Sequence, residues 1–474
     1  MSSLFDRRSF VGVATLAFLI AGLVLGLRSC RNEYAQLLRR AKLHADRQER
    51  TAAVAVYRQA ASLHPHDPHP QLELAQVYLD WGRSEQALEA LGAAERLGAE
   101  LAEVERLRVR VHARAARTGV RDRLSHWQAV ADHAQRVLQL EPSDAETRMT
   151  LAHAYLQLRK GPAAQSAYEI VLVSNPSYAE ARERLGALML GDDPKAFEHL
   201  SISGTELSKR LLTTFMEGST MGESSYVHAK LGRILIEREE WALAAHHLER
   251  AVLDRPDYPD ARAYLGHALD QMGYREAAQS QLIRAVNAAP TSVIAHVFLG
   301  LHHDRWGDTR AARLQYEKAH DLAPDNPAIC VEVGQTWAAE GRYVAAEIWL
   351  REAVSLRPHD PALWEVLARF YLDRSITSSN RATEAVERLV QLSPNSAQAH
   401  DLRGWAAFQT GRYQAAESHL QRAIALDASL ASAYYHLGLL RSAQGRESEA
   451  NEAFDRAVDL DTTGELIPLV ERAR

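Results

Sequence analysis

Several residue types that fix or interrupt a fold are scarce in this chain of 474 residues. Cys30 and Cys330 are the only cysteines, and their separation matches no metal-binding or redox motif. Aromatic residues make up 7% of the chain, and Gly and Pro are modest in number. Because Ala, Leu, Arg, Glu and Gln are abundant instead, helix formers dominate. We therefore expect an all-α protein in which Cys330 packs as a small apolar side chain.

The sequence motifs of common enzyme classes are also missing. There is no GxGxxG, GxxxxGK[ST], GxSxG or HExxH sequence, so we predict no catalytic site, no cofactor and no enzyme activity. The formal net charge of −6 is small for this length, which gives no support for a nucleic-acid partner.

A unit of 34 residues recurs along the chain. The stretches LERAVLDRP, LIRAVNAAP, YEKAHDLAP and LREAVSLRP end in prolines spaced 34 residues apart, at Pro256, Pro290, Pro324 and Pro358. A fixed period of this length predicts one helix-turn-helix unit per repeat. The eighth position of each unit is small, as at Gly300, and the twenty-fourth is large, as at Tyr316. Small residues let two helices approach closely, and large ones fill the remaining space.

This pattern resembles the tetratricopeptide repeat family, which implies a right-handed α-solenoid. Units starting near 225, 259, 293, 327, 361, 397 and 431 fit the pattern well, and those near 34, 68 and 145 are also recognisable. Units near 102 and 179 are degraded. We expect a first array at 33–190, an insertion at 191–224 that divides the arrays, a second array at 225–461, and a capping helix at 462–474.

The resemblance also implies a concave groove lined by fixed positions of the first helix in each unit. In the second array, this assigns to the partner groove Arg233, His267, Val297, Leu301, Val331, Gln335, Arg369, Trp405, Phe408, Tyr435 and Leu439. Several are apolar, which favours an amphipathic helix or an extended apolar segment as the ligand. The alternative is that some of them pack against neighbouring units or a second copy of the chain.

Arginines are concentrated in the first array, in RLRVRVHARAARTGVRDR. Arg106, Arg110 and Arg114 fall on groove positions of the unit near 102 and form one predicted basic ridge. Three interpretations stay open: a solvated helix face, a surface for an acidic protein segment, and a surface for anionic lipid headgroups.

Histidines cluster in the stretch HPHDPHP, which contains His64, His66 and His69. A transition-metal site is one interpretation, but Pro65 is the terminal proline of a repeat, so a turn between units is favoured. His302 and His303 raise the same question, and we favour core packing there. We therefore expect no metal site.

The N-terminal segment contains an uncharged apolar run at 10–27, preceded by a tail at 1–9. At 1.5 Å per residue, its 18 residues span about 27 Å, enough for a transmembrane helix or uncleaved signal anchor. RRSFV resembles a twin-arginine export signal, and LRSC resembles a lipoprotein box with Cys30 as the candidate for lipidation. We expect a single-pass membrane protein with extracytoplasmic, periplasmic repeats, and the count of positive charges leaves the cytoplasm as the alternative.

Together, these features predict a membrane-anchored scaffold that binds protein or peptide ligands and does not bind nucleic acid. Two alternatives are a substrate-presenting subunit of an enzyme encoded elsewhere and a structural component of an envelope, secretion or surface assembly.

Overall fold

The computed structural model describes residues 32–119, 122–219, 223–373 and 379–474, and every regular element in these ranges is a helix. Eleven helices precede residue 220 in the described part: α1 (32–46), α2 (Arg50–Leu63), α3 (His69–Trp81), α4 (Ser84–Arg96), α5 (Leu101–Thr118), α6 (Arg123–Leu140), α7 (Ala145–Gln157), α8 (Gly161–Ser174), α9 (Ala179–Met189), α10 (Lys195–Ser203) and α11 (Glu206–Ser219).

Fifteen described helices follow residue 222: α12 (Ser224–Glu237), α13 (Trp241–Asp254), α14 (Pro259–Met272), α15 (Arg275–Ala288), α16 (Val293–Arg305), α17 (Thr309–Leu322), α18 (Pro327–Ala339), α19 (Tyr343–Leu356), α20 (Pro361–Asp373), α21 (Ser379–Leu392), α22 (Ala397–Gln409), α23 (Tyr413–Leu426), α24 (Ala431–Ala443), α25 (Glu447–Leu460) and α26 (Ile467–Ala473). The prediction of an all-α solenoid is confirmed.

The two helices of a unit are in close contact at the small eighth position. A Cβ atom added at Gly300 on α16 would lie 2.5 Å from the Tyr316 ring on α17, and the Tyr316 side chain is fully buried. The same arrangement recurs on α22 and α23, where a Cβ atom added at Gly404 would lie 2.6 Å from the Leu420 side chain. Because no real Cβ approaches another atom so closely, these positions fix the distance between paired helices.

The helix α10 was not predicted from the sequence. It packs against α9 through Leu200, which lies 2.7 Å from the Cβ position of Gly186. The large residue here comes fourteen positions after the small one, whereas it comes sixteen positions after it in the regular units, as from Gly300 to Tyr316. The two missing residues remove this helix from the periodic pattern, although its packing resembles that of the other units.

The segment 191–224 also contains α11, and its buried side chains join a core shared with both flanking regions. Leu200, Leu207 and Leu211 pack in the same cluster as Tyr168 before them and Leu248 after them. The division of the chain into two arrays at this segment stays a prediction.

The two ends of the solenoid are in contact. Trp81 Nε1 on α3 donates a hydrogen bond to the Val458 carbonyl oxygen at 2.9 Å. Thr51 donates from its backbone nitrogen at 2.8 Å and from its hydroxyl at 2.6 Å to Asp459 Oδ1. Asp459 is 5% exposed, so this contact is desolvated and the two ends are held by specific hydrogen bonds.

A second long-range contact joins the regions on either side of 191–224. The Tyr274 hydroxyl at the start of α15 donates to the Gln157 carbonyl oxygen at the end of α7, at 3.2 Å. Arg159 forms an ion pair with Glu249 nearby. The two long-range contacts close a path along the chain. The start of α15 meets the end of α7, and α25, at the far end of the following units, meets α2 and α3.

The predicted membrane localisation is corrected by the structure. In residues 32–119, 122–219, 223–373 and 379–474, no helix has both the length and the apolar character needed to cross a bilayer. This finding contradicts the single-pass membrane assignment, which we withdraw. The run 10–27 and Cys30, on which the anchor and lipidation predictions were based, lie outside the described residues.

The end-to-end contact predicts a specific effect of Gly82→Ala. Gly82 ends α3 with φ of +81°, and an added Cβ would lie 2.5 Å from the Thr462 carbonyl oxygen. We expect Gly82→Ala to lower the free energy of unfolding through left-handed backbone strain, about 1 kcal/mol. Loss of the hydrogen bonds between the ends should add about 1 to 2 kcal/mol and enlarge the radius of gyration in small-angle X-ray scattering.

Gly341→Ala is the matched control for this prediction. Gly341 has φ of +76°, but nothing lies within 4 Å of an added Cβ. It should therefore show the strain cost alone, with an unchanged scattering profile. Equal effects of the two substitutions on stability and on scattering would contradict the end-to-end contact.

Candidate functional site

The first helices of successive units contact one another through the ninth position of one unit and the sixth position of the next. Three pairs show it: the Arg233 guanidinium 5.3 Å from the Tyr264 ring centre, His267 stacked on Phe298 at 4.2 Å, and Trp405 stacked on His436 at 4.4 Å. Three residues predicted to line the groove therefore also join neighbouring units. The aromatic residues at the sixth position were not predicted, although their recurrence is visible in the sequence.

The largest aromatic group among the residues predicted to line the groove surrounds Trp405 on α22. Its ring is nearly parallel to the Phe408 ring, with centres 5.2 Å apart, and to the His436 ring, with centres 4.4 Å apart. Asp401 is 1% exposed, lies 2.7 Å from His436 Nδ1 and accepts a hydrogen bond from Ser432 at 2.7 Å. This carboxylate fixes the His436 ring, which in turn positions Trp405.

A second buried carboxylate, Asp270, lies on α14. Its Oδ1 is 2.7 Å from His302 Nδ1 and accepts a hydrogen bond from Trp306 at 2.9 Å, while Oδ2 lies 2.7 Å from Arg305 Nε. His302 is 2% exposed, and His303 is half-buried. The surroundings of His302 are those of a core residue in a charge network.

Half-burial is shared by the seven apolar and aromatic residues predicted to line the groove: Val297, Leu301, Val331, Trp405, Phe408, Tyr435 and Leu439. Tyr435 and Leu439, for example, pack against Phe454 and Val470. Part of each side chain therefore contacts protein, as in the alternative interpretation, and the rest is open to solvent. The assignment of these residues to a partner groove stays a prediction.

The polar residues of the predicted groove differ from one another. Arg233 and Gln335 are exposed, whereas Arg369 is half-buried, with Nη2 2.9 Å from Glu365 on the same helix. Arg233 is therefore the most accessible positive charge among the residues predicted to line the second-array groove.

The predicted basic ridge of the first array is partly neutralised. Arg106 lies 2.6 Å from Glu141 and 3.4 Å from Asp144, two acidic residues in the turn before α7. Arg110 is exposed and donates to Gln76 Oε1 at 2.8 Å, and Arg114 is half-buried. Because Arg106 is already paired with two carboxylates of the same chain, this surface offers a partner less positive charge than the sequence indicates.

The histidine-rich stretch begins directly after α2, forms the turn that the sequence predicted, and continues into α3, whose first residue is His69. The His64 ring lies 4.2 Å from the ring of Tyr34, and His69 Nε2 lies 3.9 Å from Glu73. His66 is exposed.

A large hollow beside the end-to-end contact was not predicted. It has a volume of about 1130 Å³ and is lined from both ends of the chain, with Ala52 and Ala55 on α2 facing Ile424, Tyr434 and Leu437. These residues are almost four hundred positions apart, so no local motif could reveal it.

Comparisons with protein-family models decide the family. Models described as tetratricopeptide repeat or TPR repeat match residues 149–200, 229–273, 265–327, 307–373, 404–445 and 431–463. The chain belongs to the tetratricopeptide repeat family. The helix pairs and the small-to-large contacts are those expected of its repeats.

Solved structures similar to this tetratricopeptide repeat protein include three proteins of low sequence identity. A tetratricopeptide repeat protein from Parabacteroides merdae is 15% identical with a TM-score of 0.44, covering 53% of this chain and 98% of that chain. Yeast Tom70 is 14% identical with a TM-score of 0.41, and the match covers 94% of this chain and 96% of that chain. The pilF protein of Pseudomonas aeruginosa is 21% identical with a TM-score of 0.37, and the match covers 45% of this chain and 95% of that chain. A search of curated proteins finds no match.

The environment of His267 predicts a pH-dependent loss of stability. Burial lowers the pKa of His267 to about 4, whereas in an unfolded chain a histidine titrates near 6.5. Between these values the unfolded chain binds the proton more strongly, so stability falls as the pH is lowered. From pH 7 to pH 5 we expect this side chain alone to remove about 2 kcal/mol from the free energy of unfolding.

His267→Phe tests this prediction by urea unfolding at both pH values. Phe can stack on Phe298 but does not titrate, so the variant should lose about 2 kcal/mol less on acidification than the wild type. His66→Gln, at an exposed histidine before α3, is the matched control for the loss of one histidine. Identical pH dependence in the wild type and His267→Phe would show that this histidine is not held neutral.

Proposed function

We propose that this tetratricopeptide repeat protein is a non-catalytic scaffold that binds a protein segment in the groove of its second array. The Trp405 stack is the observation that carries the proposal. Trp405 and Phe408 are held parallel, yet both keep part of their surface open to solvent. Rigid aromatic rings bury a large area with little loss of conformational entropy, which makes them suitable anchors for a partner.

The chemistry of the groove favours an amphipathic ligand. Half-buried Val297 and Leu301 lie on α16, between the Trp405 stack on α22 and the exposed Arg233 on α12. A segment whose apolar residues contact the rings and aliphatic side chains could place an acidic residue at Arg233. The second array is favoured over the first because Arg106 is already paired with Glu141 and Asp144.

The buried carboxylates support a structural role for the polar groups of the groove. Asp270 and Asp401 are each 1% exposed, and each has histidine and further polar partners within the protein. A carboxylate held in this way orients neighbouring side chains and is not presented to a substrate. We therefore propose binding without catalysis.

Peptide selection against the purified full-length chain tests this function. Peptides selected from a library of amphipathic helical sequences should bind the wild type. Trp405→Ala and Arg233→Glu should each weaken binding at least tenfold in fluorescence polarisation, corresponding to about 1.4 kcal/mol or more. Arg233→Glu is the more informative variant because it replaces an exposed side chain and loses one contact, with the Tyr264 ring, whereas Trp405→Ala removes a half-buried ring from an aromatic stack.

Two controls separate groove binding from general effects. Trp364→Ala removes a half-buried tryptophan that is not at a predicted groove position and whose Nε1 donates a hydrogen bond to the Pro358 carbonyl oxygen. Arg284→Glu makes the same charge change as Arg233→Glu, but at an exposed residue of α15, which is the second helix of its repeat unit. Both should bind the selected peptides normally. Equal binding by all four variants would rule out the groove as the ligand site.

A further inference from the structure

Three side chains with metal-binding atoms converge where α17, α18 and α19 meet. His320 lies in the last turn of α17, Cys330 near the start of α18, and Glu352 on α19. One ligand atom from each lies within 4.8 Å of the other two. In the part of the chain that the structure describes, this is the only trio of His, Cys, Asp or Glu side chains found to meet so closely.

One ligand atom of this trio is buried without a partner, and the thiol beside it is not in a disulfide. His320 Nε2 is buried and has no hydrogen-bond partner, and at 3.9 Å the Glu352 carboxylate is too far away to serve as one. The Cys330 thiol is free and its side chain is fully buried. A buried polar atom without a partner costs free energy, so the unpaired His320 Nε2 beside a thiol and a carboxylate is evidence for a ligand that satisfies it.

We propose that His320, Cys330 and Glu352 bind a zinc-class divalent transition-metal ion, with water completing the coordination. Imidazole nitrogen, thiolate sulfur and carboxylate oxygen are all ligands of Zn²⁺, whereas Mg²⁺ and Ca²⁺ favour oxygen alone. The thiolate and the carboxylate together would balance the two positive charges of the ion.

The geometry needs only a small adjustment. Ligand atoms around a tetrahedral zinc ion lie about 3.5 Å apart, which is closer than the upper limit of 4.8 Å within the trio. The Glu352 side chain is 41% exposed, so it can rotate towards the other two and leave a water-accessible position. The His320 ring also contacts the Trp349 ring edge to face, with ring centres 4.7 Å apart.

The ion would connect two consecutive units, because α17 belongs to one and α18 and α19 to the next. Repeat proteins are stabilised by interfaces between neighbouring units, so metal binding would strengthen this interface directly. Cys330 also precedes Val331, one of the residues predicted to line the groove. The site stands independently of the proposed peptide binding, and it revises the sequence-based expectations of no metal site and of Cys330 as packing alone.

Cobalt titration of the full-length chain tests the site. After treatment with a chelator and dialysis, one equivalent of Co²⁺ should produce a thiolate-to-cobalt charge-transfer band in the near ultraviolet, and added Zn²⁺ should remove it. Zn²⁺ should also raise the thermal midpoint of the wild type. Cys330→Ser should abolish the band, while His320→Gln and Glu352→Gln should each weaken Co²⁺ binding at least tenfold.

Cys30→Ser is the matched control because it removes the other thiol of the chain, and it should keep the full band. His359→Gln, at an exposed histidine, should also bind normally. The proposal is overturned if the wild type shows no band, or if the band survives Cys330→Ser. If circular dichroism shows that Cys330→Ser does not fold, the other two variants decide, and unchanged Co²⁺ affinity in both would overturn the site.

Discussion

The structure depends on the close approach of the two helices within each repeat. At Gly300 there is no room for even one additional carbon atom before the Tyr316 ring is reached. This contact fixes the separation of the paired helices, and the large residue opposite fills the volume between them. Because the same arrangement recurs along the chain, each unit has nearly the same shape and is placed on its neighbour in nearly the same way.

The long-range contacts follow from this regularity. A small rotation between neighbouring units accumulates along a solenoid, and here it brings Thr51 to Asp459, 408 residues further along the chain. Most contacts in a repeat array are between neighbours, so the hydrogen bonds at Thr51 and Trp81 add a constraint that a linear array lacks. The hollow between α2 and α24 exists only because the two ends meet.

The sequence could predict whatever repeats locally. The period of 34 residues and the recurring small and large side chains were sufficient to predict the helical fold. Which positions line a groove stays a prediction from the family resemblance. The contact between the ninth position of one unit and the sixth position of the next could also have been predicted, because aromatic rings recur at the sixth position, as Tyr264, Phe298 and His436. The helix α10 was missed because its spacing is two residues shorter than the period.

Features formed by distant or irregularly spaced residues could not be predicted from the sequence. His320, Cys330 and Glu352 are separated by ten and twenty-two positions, which corresponds to no local motif. The neutralisation of Arg106 depends on Glu141 and Asp144 in a different turn. The end-to-end contact depends on the sum of many small rotations, to which each unit contributes too little to be visible in its own sequence.

The most direct test of this account is the distance between the two ends in solution. Arg47 and Glu452 are exposed and both line the hollow at the end-to-end contact, one from each end region of the solenoid. Spin labels at these two positions, in a full-length chain carrying Cys30→Ser, can be measured by pulsed electron paramagnetic resonance. The account predicts a single narrow distribution at short distance. A broad distribution at long distance would show that the repeats do not bring the ends together.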